Sequence, residues 1–243
     1  MTDPDAMPAV TPARMAAVDR AAVALGLDVL QLMELAGRTV AVAARAMLPG
    51  GDPAGARLLV LAGPGGNGGD GLVAARLLHG WGARPSVWLS RRGEEIGGAA
   101  GHQLAILRNL PIPVQEPPAG DDAPALPDAD LVIDALLGFG LGGPPAGAAA
   151  SLIRAANAHP APTLAVDLPS GLDGATGEPY EPCIVADRTL TLALPKTGLL
   201  APAARPVAGS LAVADIGMPA EAFAAIGLAV GPIFRRGEVV EVY

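Results

Sequence analysis

The chain has 243 residues, 51% of them hydrophobic and 16% charged, with a formal net charge of -8, a length and apolar content that suit one substantial α/β domain. No excess of lysine and arginine offsets a phosphate backbone, and the few aromatic residues, two Trp, two Tyr and three Phe, make no base-stacking platform, so nucleic acid is excluded as a partner. A single cysteine, Cys183, rules out an internal disulfide and a thiolate metal cluster. The first twenty residues lack the order of a signal peptide and no apolar run of ~18 residues occurs, so a cytoplasmic protein outside the membrane is expected.

Thr11-Pro12 pairs an N-cap residue with proline at the first helical position and predicts a helix running to about Leu25. A second helix is predicted over 27–47, where Leu30, Met33, Val40 and Ala44 approach helical spacing and Pro49-Gly50-Gly51 ends the run. From residue 57 the period changes. RLLVLA (57–62), LVAARLLHGWG (72–82) and PSVWLS (85–90) read as strand, helix, strand. ADLVIDALLG (129–138), PTLAVDLPSG (162–171) and ADRTLTLALPKTG (186–198) supply three further strands, with SLIRAANAH (151–159) as a helix between two of them. Continuous apolar strands joined by helices predict a parallel sheet covered on both faces. The six prolines within 111–127 mark an exposed connection inside the domain, and no internal repeat is present.

In such a sheet, ligands bind outside the carboxyl ends of the strands. Polar groups follow the apolar strands there: the glycine stretch GPGGNGGDG (63–71), Asp134 with GFGLGGP, Asp167 with LPSG, and Pro195-Lys196. The first contains the dinucleotide fingerprint Gly63-x-Gly65-x-x-Gly68 between a strand and a helix, yet Asp70 sets a carboxylate where an anion would bind. Either Asp70 caps a helix starting near Gly71, or it meets a ligand. In DLPSGLD, a strand-end carboxylate and a serine hydroxyl three residues on can face one ligand, while Asp173 reads as a turn former. Asn67, Asp134 and Ser170 make a set of hard oxygen donors suited to an alkali or alkaline-earth cation and unsuited to zinc. His79, His102 and His159 lie within or beside helices with no metal-ligand spacing. Neither a GxxxxGK[ST] loop nor a GxSxG elbow occurs, which sets aside NTPase and serine hydrolase chemistry. An oxidoreductase with Arg91 and Arg92 on a 2′-phosphate stays open, as does a non-catalytic nucleotide-binding module.

Taken in order, GPGGNGGDG, DLVIDALLGFGLGGP, VDLPSGLDGATG, LALPKTG and VADIGMP, preceded by LMELAGR (32–38), resemble the NAD(P)H-hydrate epimerase family, the YjeF N-terminal domain, over roughly residues 12–220. One position departs: the family usually carries two asparagines in its glycine loop, and the first is Gly66 here. The resemblance implies a single Rossmann-like domain over 1–243, a three-layer αβα sandwich with a mainly parallel central sheet and an N-terminal helical lead-in, usually a homodimer. It implies interconversion of the R and S epimers of NADH and NADPH hydrated at C6 of the nicotinamide ring, beside an ATP- or ADP-dependent dehydratase that uses the S form. With the chain ending at Tyr243, that dehydratase is expected on a separate chain, or this chain is a fragment of a fused protein. Carried over by motif, Gly66, Asn67, Gly68, Gly69 and Asp70, then Gly138, Phe139, Gly140, Leu141, Gly142, Gly143 and Pro144, and Asp167 are implied to contact substrate. Asn67, Asp134 and Ser170 are implied to bind one potassium ion per subunit. Asp70 is then expected to accept from a ribose or amide donor. Epimerisation of a hemiaminal needs a proton donor and a proton acceptor around a planar iminium. Asp167, helped by a cation-bound water, is the expected proton-transfer group and Lys196 the alternative acid.

Overall fold

The computed structural model describes residues 7–117 and 124–243. Positions 118–123, within the proline-rich connection, lie outside the described residues.

Both lead-in helices are capped as their sequences dictate. Helix α1 (Pro12–Ala24) starts after Thr11, whose hydroxyl accepts from the Arg14 amide at 3.3 Å. Helix α2 (Val29–Met47) opens on a capping box: the Asp28 carboxylate accepts from the Leu30 amide and the Gln31 side chain from the Asp28 amide, each at 2.8 Å. Then follow β1 (Arg57–Ala62), α3 (Gly66–Gly80), β2 (Arg84–Leu89), α4 (Gly98–Leu107), β3 (Val114–Gln115), β4 (Leu131–Ala135), α5 (Gly147–Asn157), β5 (Thr163–Val166) and β6 (Arg188–Leu192). Helix α6 (Arg205–Ala208), β7 (Ser210–Ala214), α7 (Ala220–Ala224) and β8 (Val239–Glu241) complete the order. No described helix is long and apolar enough to cross a membrane.

The strands form one eight-stranded sheet in the order β3-β2-β1-β4-β5-β6-β7-β8, parallel throughout except for β8, which runs antiparallel to β7. Alternation along each strand divides the core. Leu58, Val60 and Ala62 of β1 face the layer that holds α1 to α4, whereas Leu59 and Leu61 pack with Leu152 and Ile153 of α5 on the other face. This is the expected three-layer sandwich. The short β7 and β8, which the apolar pattern did not single out, extend its far edge.

The glycine stretch departs from expectation. It is the first turn of α3, which begins at Gly66 and not near Gly71, so Asp70 lies inside the helix and is no cap. Glycine costs a helix about 1 kcal/mol per residue relative to alanine. Here packing overrides that cost: a β-carbon on Gly68 would stand 1.8 Å from the Gly63 carbonyl oxygen, and one on Gly71 would stand 2.6 Å from the Ala135 side chain. The glycines let α3 settle against the ends of β1 and β4.

Candidate active site

The chain leaves β1 toward β2 and β3 on one side and returns to β4 on the other, so the loops after β1 and β4 diverge. That divergence opens a crevice at the carboxyl ends of the strands, where open α/β sheets bind ligands. A cavity of about 580 Å³ occupies it. The first turn of α3, the 136–142 loop, the ends of β5 and β6, and the inner faces of α1 and α2 line it, and most of its surface is apolar.

At its floor lies an ion pair between Asp167 and Lys196, 2% and 1% exposed. Two unusual turns hold it. Asp167 and Ala193, at the ends of adjacent strands, have φ of 68° and 62°, and in each case the next amide donates to the carbonyl before it, Leu168 to Val166 at 2.8 Å and Leu194 to Leu192 at 2.7 Å. This is the strained form of γ-turn, and a non-glycine residue at such φ costs about 1–2 kcal/mol. The strain is offset by donors: Asp167 Oδ1 accepts from Thr191 Oγ1 and the Leu192 amide, both at 3.1 Å, and from Lys196 Nζ. Lys196 Nζ also donates to the Leu192 carbonyl at 3.0 Å and to Thr191 Oγ1 at 3.3 Å, 5.5 Å from the Phe139 ring centroid. Three donors thus converge on one oxygen of Asp167, fixing the carboxyl group at the cavity floor.

Two more carboxyl groups face this pair. Asp70, 7% exposed on α3, has no hydrogen-bond partner among the described residues, and burial, then the neighbouring Asp167, push its pKa well above the usual carboxylate range against the pull of Lys196. Asp19 of α1, half-buried and likewise unpartnered among the described residues, is raised to about 6 by burial, with Lys196 opposing and Asp167 adding. Sequence reasoning missed Asp19. Its signal was an acidic residue four positions after Met15 and three before Ala22, on the face that α1 buries.

The implied cation ligands gather around the turn after β4. Fully buried Asp134 accepts from Ser170 Oγ at 2.6 Å, the Ser170 amide at 2.8 Å and the Leu136 amide at 3.2 Å, and burial raises its pKa to about 6 against these bonds. Ser170 Oγ in turn accepts from the Leu137 amide at 2.9 Å. Asn67 packs on Gly138, and its buried Nδ2 has no partner among the described residues. Through their oxygens, the Asn67 amide, the Asp134 carboxylate and the Ser170 hydroxyl offer hard, weakly charged donors. They fit a monovalent cation, and no cluster of three His, Cys, Asp or Glu suited to a more highly charged metal occurs among the described residues.

Among the other implied contacts, Gly66, Asn67, Asp70, Gly138, Phe139, Gly140, Leu141, Gly142 and Asp167 line the cavity. Gly68 and Gly69 do not: the first packs on the Gly63 carbonyl, and a β-carbon on the second would lie 2.4 Å from Met33 Cε. Gly143 and Pro144 lie past the lining segment, and Arg91 and Arg92, both exposed, are not among the lining residues. Gly66 has open space where a side chain would project, so glycine at this position leaves room in the cavity. Cys183 is buried and free, its thiol pushed up to about 12 chiefly by desolvation, which makes it inert.

The family model described as "YjeF-related protein N-terminus" matches residues 29–198. The chain belongs to this family. Among family relatives, an NAD(P)H-hydrate epimerase of Limosilactobacillus fermentum is 38% identical over 208 residues, 85% of this chain and 96% of that one. An NAD(P)H-hydrate epimerase of Dehalogenimonas lykanthroporepellens is 38% identical over 215 residues, 88% of this chain and 84% of its own length. A bifunctional NAD(P)H-hydrate repair enzyme Nnr of Hyperthermus butylicus is 43% identical over 226 residues, 90% of this chain, and this chain spans 40% of its length. The crystal structure of the yeast protein ynu0 has the same fold, with a TM-score of 0.79 at 24% identity over 97% of this chain and all of that one.

Proposed function

We propose that this chain is an NAD(P)H-hydrate epimerase, interconverting the R and S forms of NADH and NADPH that carry water at C6 of the nicotinamide ring. The observation that carries this reading is the buried Asp167–Lys196 pair on the floor of an apolar cavity at the β1/β4 crevice. Its support is the family, whose relatives of similar length are named for that activity.

The hydrate is a hemiaminal. Its ring nitrogen expels the C6 hydroxyl once that oxygen is protonated, and water adds back to either face of the planar iminium. Epimerisation therefore needs no redox cofactor, only proton transfer and a dry place to hold a cation. The Asp167 carboxylate is the proton acceptor for the incoming water. Lys196, with Asp167, Thr191 and the Leu192 carbonyl around its ammonium group, fixes that carboxylate and stays a positioning residue. Asp70 accepts from a ribose or amide donor of the substrate. Asn67, Asp134 and Ser170 would hold a potassium ion, which supplies a fixed positive charge among the carboxylates.

In this reading the enzyme is cytoplasmic and homodimeric, and an ATP- or ADP-dependent dehydratase consumes the S epimer; the fused relatives join a repair partner to this domain. The oxidoreductase alternative is less well supported because Arg91 and Arg92 do not line the cavity. The test is epimer exchange. Purified R-hydrate of NADH is incubated in potassium buffer and the two epimers are separated over time against a control without enzyme. Wild type is expected to accelerate the approach to equilibrium, and Asp167→Asn to lose about 100-fold or more of that rate. No acceleration by folded wild type would leave a binding module as the better account.

A further inference from the structure

Asp167, oriented by its convergent donors, serves one half of the proton traffic as the acceptor. The departing hydroxyl needs a group that arrives carrying a proton, and Lys196, buried and engaged, is poorly placed to give one up. Two other carboxyl groups line the cavity. Asp70 is 7% exposed, whereas Asp19 is half-buried on the stretch of the lining where Val23 and Val29 are 48% and 51% exposed, near the mouth. A group that must be reprotonated each turnover needs such a route to water.

The backbone ties Asp19 to the ion pair. Immediately before α1, Val10 forms a parallel bridge with Lys196: its amide donates to the Pro195 carbonyl and its carbonyl accepts from the Thr197 amide, both at 2.9 Å. The strap that carries Lys196 therefore also anchors the start of α1, and two turns along that helix Asp19 projects from the same face as Met15 and Val23 into the cavity.

We propose that Asp19 is the general acid of the reaction: its carboxylic acid protonates the C6 hydroxyl as it departs, while Asp167 takes the proton of the water that replaces it. The proposal rests on the epimerase reading. The steps balance. The C6–O bond breaks, the ring nitrogen's lone pair forms the C=N bond, and the hydroxyl leaves as water with the proton from Asp19. A second water forms the new C6–O bond as the nitrogen recovers its lone pair, and passes one proton to Asp167. Solvent then takes the proton from Asp167 and returns one to Asp19, which restores both groups with no net proton or redox change. In the reverse direction the same two groups can exchange roles.

The charges around Asp19 favour this role. Lys196, Asp167, Asp70 and Arg20 are the ionisable groups that act on it or on its neighbours, and α7, packed against α1, brings only the exposed Glu221. Three carboxyl groups facing a single buried ammonium cannot all ionise cheaply, so the cavity retains protons where the departing hydroxyl needs one.

The test compares wild type, Asp19→Asn and Asp19→Glu in the epimer-exchange assay across pH 5–9, each with its melting temperature. Asp19→Asn is expected to lose about 100-fold or more in kcat with little change in KM. It is also expected to melt at a higher temperature than wild type at pH 8 and not at pH 4, because it removes a carboxylate that is costly only when ionised. Asp19→Glu is expected to recover part of kcat with a displaced alkaline limb. Wild-type turnover and an unchanged pH profile in Asp19→Asn would overturn the assignment. Should the asparagine variant fail to fold, an alkaline limb identical in wild type and Asp19→Glu would overturn it equally. Inactive wild type would instead sink the epimerase reading itself.

Discussion

The two edges of the central sheet each carry a hollow of nearly equal size, about 580 Å³ at the carboxyl ends of the strands and about 570 Å³ at the opposite edge. Their polar groups differ in kind. At the second edge Asn157 donates to the Cys183 carbonyl at 2.8 Å and accepts from the Val185 amide at 3.0 Å, Asp187 accepts from the Thr163 amide at 2.7 Å, and His159 bonds to the Pro127 carbonyl at 3.2 Å. Those side chains are consumed in tying one segment to the next. At the carboxyl edge, Asp19 and Asp70 have no hydrogen-bond partner among the described residues, and the Asp167–Lys196 pair is held in strained turns. Volume does not separate a site from a gap; unused, desolvated polar groups do, because folding alone has no reason to retain them.

The sharpest break in this comparison is Lys196→Met. Removing one partner of a buried pair leaves Asp167 uncompensated, so urea unfolding is expected to show a loss of about 3–5 kcal/mol. Arg57→Ala, which cuts the exposed bonds to Asp130 and Asp128 at the other edge, is expected to leave the midpoint unmoved.

Potassium offers the next contrast. If Asn67, Asp134 and Ser170 hold the ion, a concentration 100 times its dissociation constant stabilises the fold by about 2.7 kcal/mol. Melting in potassium against tetramethylammonium is expected to show that gap, and Asp134→Asn to abolish it.

The pH dependence is smaller and has a definite sign. Asp19 titrates near 6 in the folded protein against an ordinary 3.8, so the folded state holds a proton that the unfolded chain has already released. Its contribution to stability is full below about pH 4 and is lost as pH rises through 6. After solvent screening at this half-buried position the wild type should lose about 1–2 kcal/mol relative to Asp19→Asn across that window, read from urea midpoints at stepped pH. Asp70, raised further by deeper burial, is expected to extend the decline toward higher pH.

The smallest effect separates strain from chemistry. Ala193 shares the positive φ of Asp167 but none of its donors or proton chemistry, so Ala193→Gly should raise stability by about 0.5–1 kcal/mol and leave epimer exchange unchanged.

Local pattern carried much of this protein. Thr11-Pro12, Asp28 with Gln31, and the apolar runs of β1, β2, β4, β5 and β6 are settled by hydrogen bonds and periodicities reaching only a few residues, so the sequence by itself determined the order of elements, the parallel sheet and the polar strand ends where Asp134, Asp167 and Lys196 stand. The glycine stretch resisted that logic, since its helical state depends on α3 packing against β1 and β4 and not on glycine's own preference. Asp19 resisted it more strongly. On α1 alone it is an ordinary acidic residue, and only the Val10–Lys196 bridge, which brings α1 over the ends of β5 and β6, sets it facing the Asp167–Lys196 pair. Protonation and pairing at this site were decided by the tertiary structure, because desolvation and Coulomb energy depend on groups far apart in the chain and near one another only in the fold.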